Sequence, residues 1–291
     1  MTKALPITHE IPNRAWGFWA QGADDLDPVI GLCIESWRKN GGFDQIDILD
    51  AISVFDFLSR ESLPRNFSTL PVQIQSDLVR LGLLGQYGGV WMDASTLVSF
   101  EVMPWVESRA GHSGLFMFQN PGRGKGGRRF ETGFIAARQG HPFIRDWLEQ
   151  MVHFFQWRRV HQAHSAYSDA PILAKKIFAV LNSFFRKTHR RSAFWARAPL
   201  RWLPFYPFFI VHYLGNRVLQ KRSHRPLLES LTAVDASRYL ALRAISNARG
   251  WVETREVAEL GEVPVHDIEF RKELHHGEFE SLDAIVNRLA R

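Results

Sequence analysis

The sequence has a single cysteine, Cys33, so it can form no disulfide bond within the chain. It also has no uninterrupted apolar run of the roughly 18–20 residues that a membrane-spanning helix needs. Residues 1–20 lack the basic start and the continuous apolar stretch of a signal peptide. These absences argue against a disulfide-stabilised scaffold and an integral membrane protein. We therefore expect a protein of the reducing cytoplasm, peripheral on the inner face of the cell membrane.

Acidic residues are missing from a long stretch, residues 170–228, in which twelve Lys and Arg residues alternate with large aromatic ones. Aromatic rings suit the headgroup level of a bilayer and cations attract anionic lipid, so this stretch predicts contact with an anionic membrane surface. The alternative that stays open is a helical aromatic lobe packed on the rest of the protein, with a solvated basic face. Nucleic-acid binding is not favoured, because the sequence has no recognition-helix, zinc-finger or RNP motif.

The composition provides for a large core, since 45% of the 291 residues are hydrophobic. The net charge of +6 favours polyanionic ligands such as nucleotide phosphates. Strand and helix patterns alternate in the first half, which predicts an α/β fold with a mainly parallel central sheet flanked by helices. We expect a ligand-binding core over residues 1–165, a basic aromatic helical lobe over 166–230, and a C-terminal segment over 231–291 that packs back on the core. Residues 231–246 are predicted to be helical.

The most informative stretch is residues 71–95, PVQIQSDLVRLGLLGQYGGVWMDAS. Its leucines recur at helical spacing, which predicts an amphipathic helix ended by Gly88 and Gly89. The apolar residues 90–92 predict a buried strand, and Asp93 stands at its carboxyl end. In open α/β sheets that edge is where ligands bind. An earlier D-x-D at residues 25–27 is predicted to be a helix N-cap instead, because a first-turn proline follows it.

Asp77 and Arg80 lie one turn apart on the predicted helix. Taken alone, they could form an ordinary surface ion pair worth a few tenths of a kcal/mol, and Asp93 could cap the turn that follows it. Together they place two carboxylates and a guanidinium around one helix–strand junction, which predicts a polar ligand site. Gln75 and Ser76 lie beside the pair and could support it.

The run SDLVRLGLLGQYGGVWMDAS resembles the signature of the capsular polysaccharide synthesis proteins, which are similar to retaining D-x-D glycosyltransferases such as glycosyltransferase family thirty-two and the large clostridial toxins. IPNRAWGFWAQG, CIESWRKN and VPVHDIEFRK match in the same order, so the resemblance covers most of the chain outside the middle region. It implies a GT-A-like, Rossmann-like core. It also implies a retaining enzyme that moves a sugar from a nucleotide-sugar donor, a UDP-sugar, to a saccharide or lipid-linked acceptor in capsule or cell-surface polysaccharide synthesis.

The resemblance also implies residue roles. Asp77 and Arg80 would hold the donor hexose, and Asp93 would meet the ribose and a divalent cation, Mn²⁺ or Mg²⁺. Ser95 stands where the second acid of D-x-D is expected and would be a weaker metal ligand, which leaves metal dependence open. It also leaves open a non-catalytic protein with a degenerate site that binds sugar nucleotide or a membrane surface. Trp19 is predicted to stack on uracil, with an ordinary core tryptophan as the alternative. His266 is predicted to face a diphosphate. The other predicted donor-binding residues are Gln75, Ser76, Gly88, Gly89 and Ala94.

Overall fold

The computed structural model describes residues 10–120, 128–156, 209–231, 233–240 and 263–268, together with the single positions 172, 176, 180 and 206. The strands are β1 (Arg14–Phe18), β2 (Gln45–Leu49), β3 (Gly89–Met92), β4 (Thr96–Val98), β5 (Leu115–Gln119), β6 (Phe130–Ala137) and β7 (Val265–Asp267). The α-helices are α1 (Pro28–Asn40), α2 (Val54–Phe57), α3 (Val72–Tyr87), α4 (Val102–Ala110), α5 (Pro142–Gln156), α6 (Ile210–Leu219), α7 (Arg225–Ser230) and α8 (Ala236–Tyr239). Short 3₁₀ helices span Ala23–Asp25, Arg60–Ser62, Phe67–Thr69, Gly111–Ser113 and Arg222–His224.

Five strands form one sheet in the order β2-β1-β3-β6-β5. β1 pairs in parallel with β2 and β3, whereas β6 is antiparallel to both β3 and β5. Four of the five strands therefore run in one direction, and β6 runs against them. The predicted α/β fold, with a mainly parallel sheet flanked by helices, is confirmed. This topology brings the carboxyl ends of β1, β2, β3 and β5 to the same edge as the amino end of β6, here called the polar edge.

Helices cover both faces of this sheet because the strand residues alternate between two apolar layers. On one face, Trp16 and Trp91 belong to the apolar cluster built with α3, α5 and α6. On the other face, Ala15 and Val90 pack with residues of α1, α4 and α8. Burial on both sides fixes the register of β1 and β3, since a one-residue slip would exchange the two faces. The ends of these strands are therefore held in defined positions.

A second, two-stranded sheet joins distant parts of the chain: β4 pairs antiparallel with β7. Helix α6, from the predicted basic aromatic lobe, packs on α5, where the indole of Trp147 donates to the carbonyl of Val211 at 3.0 Å. Most of residues 166–208 lie outside the described part of the chain, so the predicted domain boundaries stay a prediction. Within the part of the chain that the structure describes, no helix combines the length and the apolar character needed to cross a membrane.

The helix predicted over residues 231–246 is wrong at its start. Residues 231 and 233–235 are not helical; α7 ends before them and α8 begins after them. Two hydrogen bonds hold this segment in a non-helical conformation. The Val234 carbonyl accepts one from the backbone N–H of Gln119, on distant strand β5, at 2.8 Å, and Asp235 caps α8 by accepting from Ser237 N at 2.8 Å. The N-cap predicted for α1 is confirmed, because Asp27 accepts a hydrogen bond from Val29 N at 3.0 Å.

Candidate functional site

Polar side chains gather at the polar edge of the sheet, the edge at which α/β proteins bind ligands. Trp19, Asp50, Asp93 and Asn120 follow the carboxyl ends of β1, β2, β3 and β5, respectively. Glu131 lies at the amino end of β6, so the antiparallel strand brings another carboxyl group to this edge. The site is thus assembled from five strands that are separated along the sequence.

The three residues predicted as catalytic converge on one guanidinium group. The two terminal nitrogens of Arg80 contact Asp93 Oδ1 at 2.7 Å and Asp77 Oδ1 at 3.2 Å. The nitrogen nearest Asp77 also donates to the Thr132 carbonyl at 2.6 Å. The arginine side chain is only 4% exposed, whereas that of Asp93 is 39% exposed. Within this triad, Asp93 is therefore the group that a ligand can reach most directly.

Arg80 holds the site together through protein acceptors. α3 presents Asp77 and Arg80 on a buried face, and the strand that follows returns Asp93 to the same guanidinium. A buried, charge-assisted pair of this kind is costly to break, because it leaves a carboxylate without its partner. The predicted contact of Arg80 with the donor sugar remains a prediction. Its observed contacts are with Asp77, Asp93 and the backbone of β6.

The ionisation of Asp77 is strongly perturbed by its buried surroundings. Burial raises the pKa of Asp77 to about 7, because desolvation outweighs the attraction of Arg80, and the charge of Asp93 adds to the rise. The guanidinium is shared between two carboxylates and cannot fully compensate both. Asp77 is therefore a group whose charge changes near neutral pH.

We expect the Asp77→Asn variant to remove a pH-dependent loss of stability. Between the ordinary pKa of 3.8 and the folded value of about 7, the folded protein keeps a proton that the unfolded chain releases. The wild type therefore loses stability as the pH rises through that range. The free energy of unfolding of the variant minus that of the wild type should increase from about pH 4.5 to about pH 7.5 and then level off. Urea unfolding at a series of pH values measures it.

Asp50→Asn is the matched control for this experiment. Hydrogen bonds from the backbone of Ser53 and Ile52 lower the pKa of Asp50, so its contribution to stability is lost only on acidification. Its difference curve should be flat above about pH 5. A flat curve for Asp77→Asn over the same range would contradict the raised pKa of Asp77.

Asp93 presents its two carboxylate oxygens differently. Oδ1 accepts hydrogen bonds from Arg80 at 2.7 Å and from the indole nitrogen of Trp91 at 2.9 Å. Oδ2 lies 3.0 Å from the point that a Cβ atom on Gly133 would occupy. The backbone of Asp93 is fixed as well, since its N–H donates to the Gly133 carbonyl at 2.8 Å.

Gly133 and Tyr239 form the wall beside Asp93. The same Cβ position on Gly133 lies 2.6 Å from the hydroxyl of Tyr239. That hydroxyl is within 3.1 Å of Thr96 Oγ1, and the ring stacks on Phe118 at a centroid distance of 5.0 Å. Burial, with the charges of Asp267 and Asp93, raises the pKa of Tyr239 well above its ordinary value, so the phenol stays neutral. Sequence reasoning missed both residues of this wall.

Ser95 meets a residue from the distant strand β7. Its hydroxyl donates to Asp267 Oδ1 at 3.4 Å, and its carbonyl accepts from Ile268 N at 3.2 Å. The antiparallel pairing of β4 with β7 brings the two segments together. Asp267 thus adds a carboxyl group beside the serine that replaces the second acid of the D-x-D pattern. This residue was also missed by sequence reasoning.

His266 is placed differently from its prediction. It is fully buried, its ring nitrogen Nε2 lies 3.4 Å from Ser99 Oγ, and desolvation lowers its pKa to about 4. A neutral, enclosed imidazole does not face a diphosphate, so the structure does not support the predicted contact. Successive residues of a strand point to opposite faces. Hence the next residue, Asp267, and not His266, reaches Ser95.

Of the other predicted donor-binding residues, Trp19 and Ala94 lie at the polar edge, whereas Gln75 makes a hydrogen bond within the protein. Trp19 is half-buried, packs on the apolar cluster that contains Ala94, and donates from its indole to the Asp25 carbonyl at 3.1 Å. Ala94 is buried in that cluster. Gln75 instead donates to the Leu70 carbonyl at 2.7 Å, which secures the start of α3. Its half-buried neighbour Ser76 lies in the same part of that helix.

Gly88 and Gly89 lie at the amino end of β3, at the opposite end of the strand from Asp93. Both have positive φ, of 71° and 97°. A Cβ on Gly88 would lie 2.5 Å from Gln139 N, and one on Gly89 would lie 2.6 Å from Arg14 O. These glycines allow the tight approach of α3, β1 and β6. Their position accounts for them without the predicted contact to the donor.

Glu131 completes the polar edge. It is 2% exposed and pairs with Arg128 and with the amide of Asn120. An acidic residue at the start of an otherwise apolar strand was the sequence signal for it. It was not singled out because nothing local indicates that β6 runs against its neighbours.

Oxygen atoms suitable for a divalent cation come from Asp93, Ser95 and Asp267. Mg²⁺ prefers oxygen ligands and usually takes one or two carboxylates together with substrate phosphates. Among the described residues, no group of three or more His, Cys, Asp or Glu side chains could hold a cation. A cation at Asp93, Ser95 and Asp267 would therefore need further ligands, such as the phosphate oxygens of a bound substrate. These three residues do not form an all-protein cage.

Comparison with known proteins finds one matching family model and several similar sequences. A family model described as "Capsular polysaccharide synthesis protein" matches residues 4–167. The O-glycosyltransferase braB of Annulohypoxylon truncatum is 31% identical over 163 residues, 50% of this chain and 37% of that protein. The glycosyltransferase afumC of Aspergillus fumigatus is 29% identical over 160 residues, 50% of this chain and 41% of that protein. The chain thus spans less than half the length of the curated relatives it matches.

A solved structure, the PaToxG Glycosyltransferase, aligns with 75% of this chain and 87% of its own length, at 16% identity and a TM-score of 0.39. That similarity is too low to carry conclusions about function. The family match includes the site, because the matched residues 4–167 contain Asp77, Arg80 and Asp93.

Proposed function

This chain belongs to the family of capsular polysaccharide synthesis proteins, and from that premise we propose that it is a glycosyltransferase that uses a nucleotide-sugar donor. The observation that carries the proposal is Asp93, an accessible carboxylate held by Arg80 at the carboxyl end of a central strand. The curated relatives named glycosyltransferases support the same reaction class. The basic net charge of +6 suits a nucleoside diphosphate.

We also propose the finer features of the reaction. The donor is a UDP-sugar, the acceptor is a saccharide or a lipid-linked saccharide, and the product belongs to capsule or other cell-surface polysaccharide. In a retaining transfer, the acceptor hydroxyl attacks the anomeric carbon from the face that the diphosphate leaves. The bond from that carbon to the diphosphate oxygen breaks, and the departing phosphate takes the hydroxyl proton. The family resemblance supports the retaining stereochemistry.

The described residues divide the work of such a site. Asp93 accepts hydrogen bonds from donor hydroxyls, while Arg80, itself paired with Asp77, holds Asp93 in place. Trp19, at the end of β1, offers an aromatic face for the base. Tyr239 and His266 are buried in the protein and neutral, so they add no charge near the site. Asp93, Ser95 and Asp267 would hold a divalent cation, which offsets negative charge on a leaving diphosphate when it is bound.

The proposal is tested by incubating the protein with a panel of UDP- and GDP-sugars, with and without Mn²⁺, and measuring release of the nucleoside diphosphate. We expect turnover of at least one UDP-sugar, stimulated by Mn²⁺. The Asp93→Asn variant should lose at least about 100-fold in turnover, because an amide replaces the reachable carboxylate. The matched control is Asp47→Asn, which alters an Arg–Asp pair elsewhere in the sheet, that of Arg14 and Asp47 at 2.8 Å.

Equal turnover by Asp93→Asn and Asp47→Asn would refute the placement of the site. Tight binding of a UDP-sugar with no turnover under any condition would instead support a non-catalytic binding protein, the alternative to which the serine at position 95 points.

We further propose that the protein contacts an anionic membrane surface through its basic aromatic lobe. The proposal rests on residues 170–228, which contain twelve Lys and Arg residues and no acidic residue. All five of the described Lys and Arg residues are exposed: Lys176, Arg217, Lys221, Arg222 and Arg225. We expect the protein to sediment with vesicles containing phosphatidylglycerol at low salt, and to be released at roughly 0.5 M salt, where charges are screened over a few Å. Vesicles of phosphatidylcholine are the control. An absence of sedimentation at low salt would rule this surface out.

A further inference from the structure

We infer that Trp91 is a positioning residue that fixes the carboxylate of Asp93, so that only Oδ2 faces a ligand. The inference rests on the proposed function, in which Asp93 contacts the donor or its cation. It concerns how that carboxylate is presented. The sequence alone marks Trp91 only as an apolar residue of a buried strand.

The geometry ties Trp91 to both members of the Arg80–Asp93 ion pair. Its side chain is 1% exposed within β3, and its indole nitrogen donates to Asp93 Oδ1 at 2.9 Å. The Arg80 guanidinium carbon lies 5.0 Å from the centroid of the Trp91 ring, within the range of a cation–π contact. The same ring therefore holds the carboxylate by a hydrogen bond and the arginine by its face.

Both donors bind the same oxygen of Asp93. Arg80 and Trp91 engage Oδ1 from different elements, which fixes the rotation of the carboxylate. No hydrogen bond to Oδ2 is formed within the described part of the chain, and Gly133 places no side chain beside that oxygen. Asp93 is thus presented with one oxygen bound by the protein and the other available. A ligand hydroxyl or cation would meet it through a single oxygen.

A purely structural role for Trp91 is the competing explanation, and Trp16 provides the control for it. Trp16 is 0% exposed and is the direct partner of Trp91 across the β1–β3 pairing. Its indole nitrogen also makes a buried hydrogen bond, but to a backbone carbonyl, that of Gly88, at 2.8 Å. Trp→Phe at either position removes one indole N–H from the same apolar layer. Only the change at position 91 releases Asp93.

The first experiment compares ligand binding by Trp91→Phe and Trp16→Phe, using calorimetric titration with UDP and Mn²⁺. We expect both variants to melt at similar, slightly lowered temperatures. Binding by Trp91→Phe should weaken about tenfold, as expected for loss of a hydrogen bond to a charged group, while Trp16→Phe stays within about twofold of the wild type. Equal affinities for the two variants would overturn the inference. If the wild type binds no nucleotide, the proposed function fails instead.

The second experiment tests the contact between Trp91 and Asp93 without any ligand. Trp91→Phe and Asp93→Ala are combined in a double-mutant cycle on the unfolding equilibrium. We expect the effect of the double variant on the unfolding constant to be about tenfold smaller than the product of the two single effects, because both single variants break the same hydrogen bond. The cycle of Trp16→Phe with Asp93→Ala should show no such deviation. Multiplicative effects at position 91 would exclude the positioning contact, whatever the wild type binds.

Discussion

Replacing Arg80 by lysine is expected to reduce donor turnover at least about 100-fold and to lower the free energy of unfolding by about 2–4 kcal/mol. Arg80 reaches Asp77, Asp93 and the Thr132 carbonyl from two nitrogens of one planar group. A lysine ammonium keeps the charge but cannot make these contacts in the same geometry. The Asp93 carboxylate would lose its fixed orientation, and Asp77 would lose its partner inside the protein. Turnover assays and urea unfolding measure the two effects.

Arg38→Lys is the matched control for this change. Arg38 and Glu35 have the same i,i+3 spacing on α1, with a distance of 3.5 Å, but both side chains are more than half exposed. A pair of this kind contributes at most about 1 kcal/mol, so the control should change stability little and turnover not at all. If Arg80→Lys behaved like Arg38→Lys, the ion-pair triad would have no role in organising the site.

Introducing a methyl group at Gly133 is the second change with a large expected effect. The new Cβ of Gly133→Ala would lie 2.6 Å from the Tyr239 hydroxyl and 3.0 Å from Asp93 Oδ2. Neither group can retreat freely, because the tyrosine ring is stacked on Phe118 and Asp93 is held at its other oxygen. We expect a loss of about 1–3 kcal/mol in unfolding free energy and a fall of about 100-fold in turnover, because a displaced carboxylate no longer meets the donor.

Gly31→Ala provides the comparison, because nothing lies within 4 Å of the Cβ that it would add. Gly31 is inside α1, where alanine is the better helix former, so this variant should gain up to about 1 kcal/mol. Turnover should be unchanged. A Gly133→Ala variant with wild-type turnover would show that the space beside Oδ2 is not needed.

The helix–strand junction could be predicted from sequence because its signals are local. Leucines at helical spacing, a glycine pair and a short apolar run define α3 and β3. They place Asp77, Arg80 and Asp93 in one helix–strand unit, with Arg80 only 13 positions before Asp93. The predicted convergence of these three side chains follows from that short separation. Their division into a buried arginine and a partly exposed Asp93 could not be predicted, because burial depends on β6 and its Thr132 carbonyl.

The other half of the site could not be derived from the sequence because its contacts are distant along the chain. Gly133 matters only because Tyr239 lies against it, and Ser95 meets Asp267 from a strand 172 positions away. The segment around His266 was expected to approach the core, and it does so in β7. Which residue of that strand faces the site depends on its register with β4, and register is a property of the pairing.

The pairing of β4 with β7 also sets the order in which the molecule can be completed during synthesis. Every strand of the five-stranded sheet is encoded before residue 138, whereas the partner of β4 is encoded after residue 264. The Arg80 ion pairs can form while the ribosome still holds the rest of the chain, but Ser95 has no contact with Asp267 until more than 120 further residues have emerged. A nascent chain that stops short of β7 would therefore contain the triad beside an unpaired β4 edge, and unpaired strand edges in general promote aggregation.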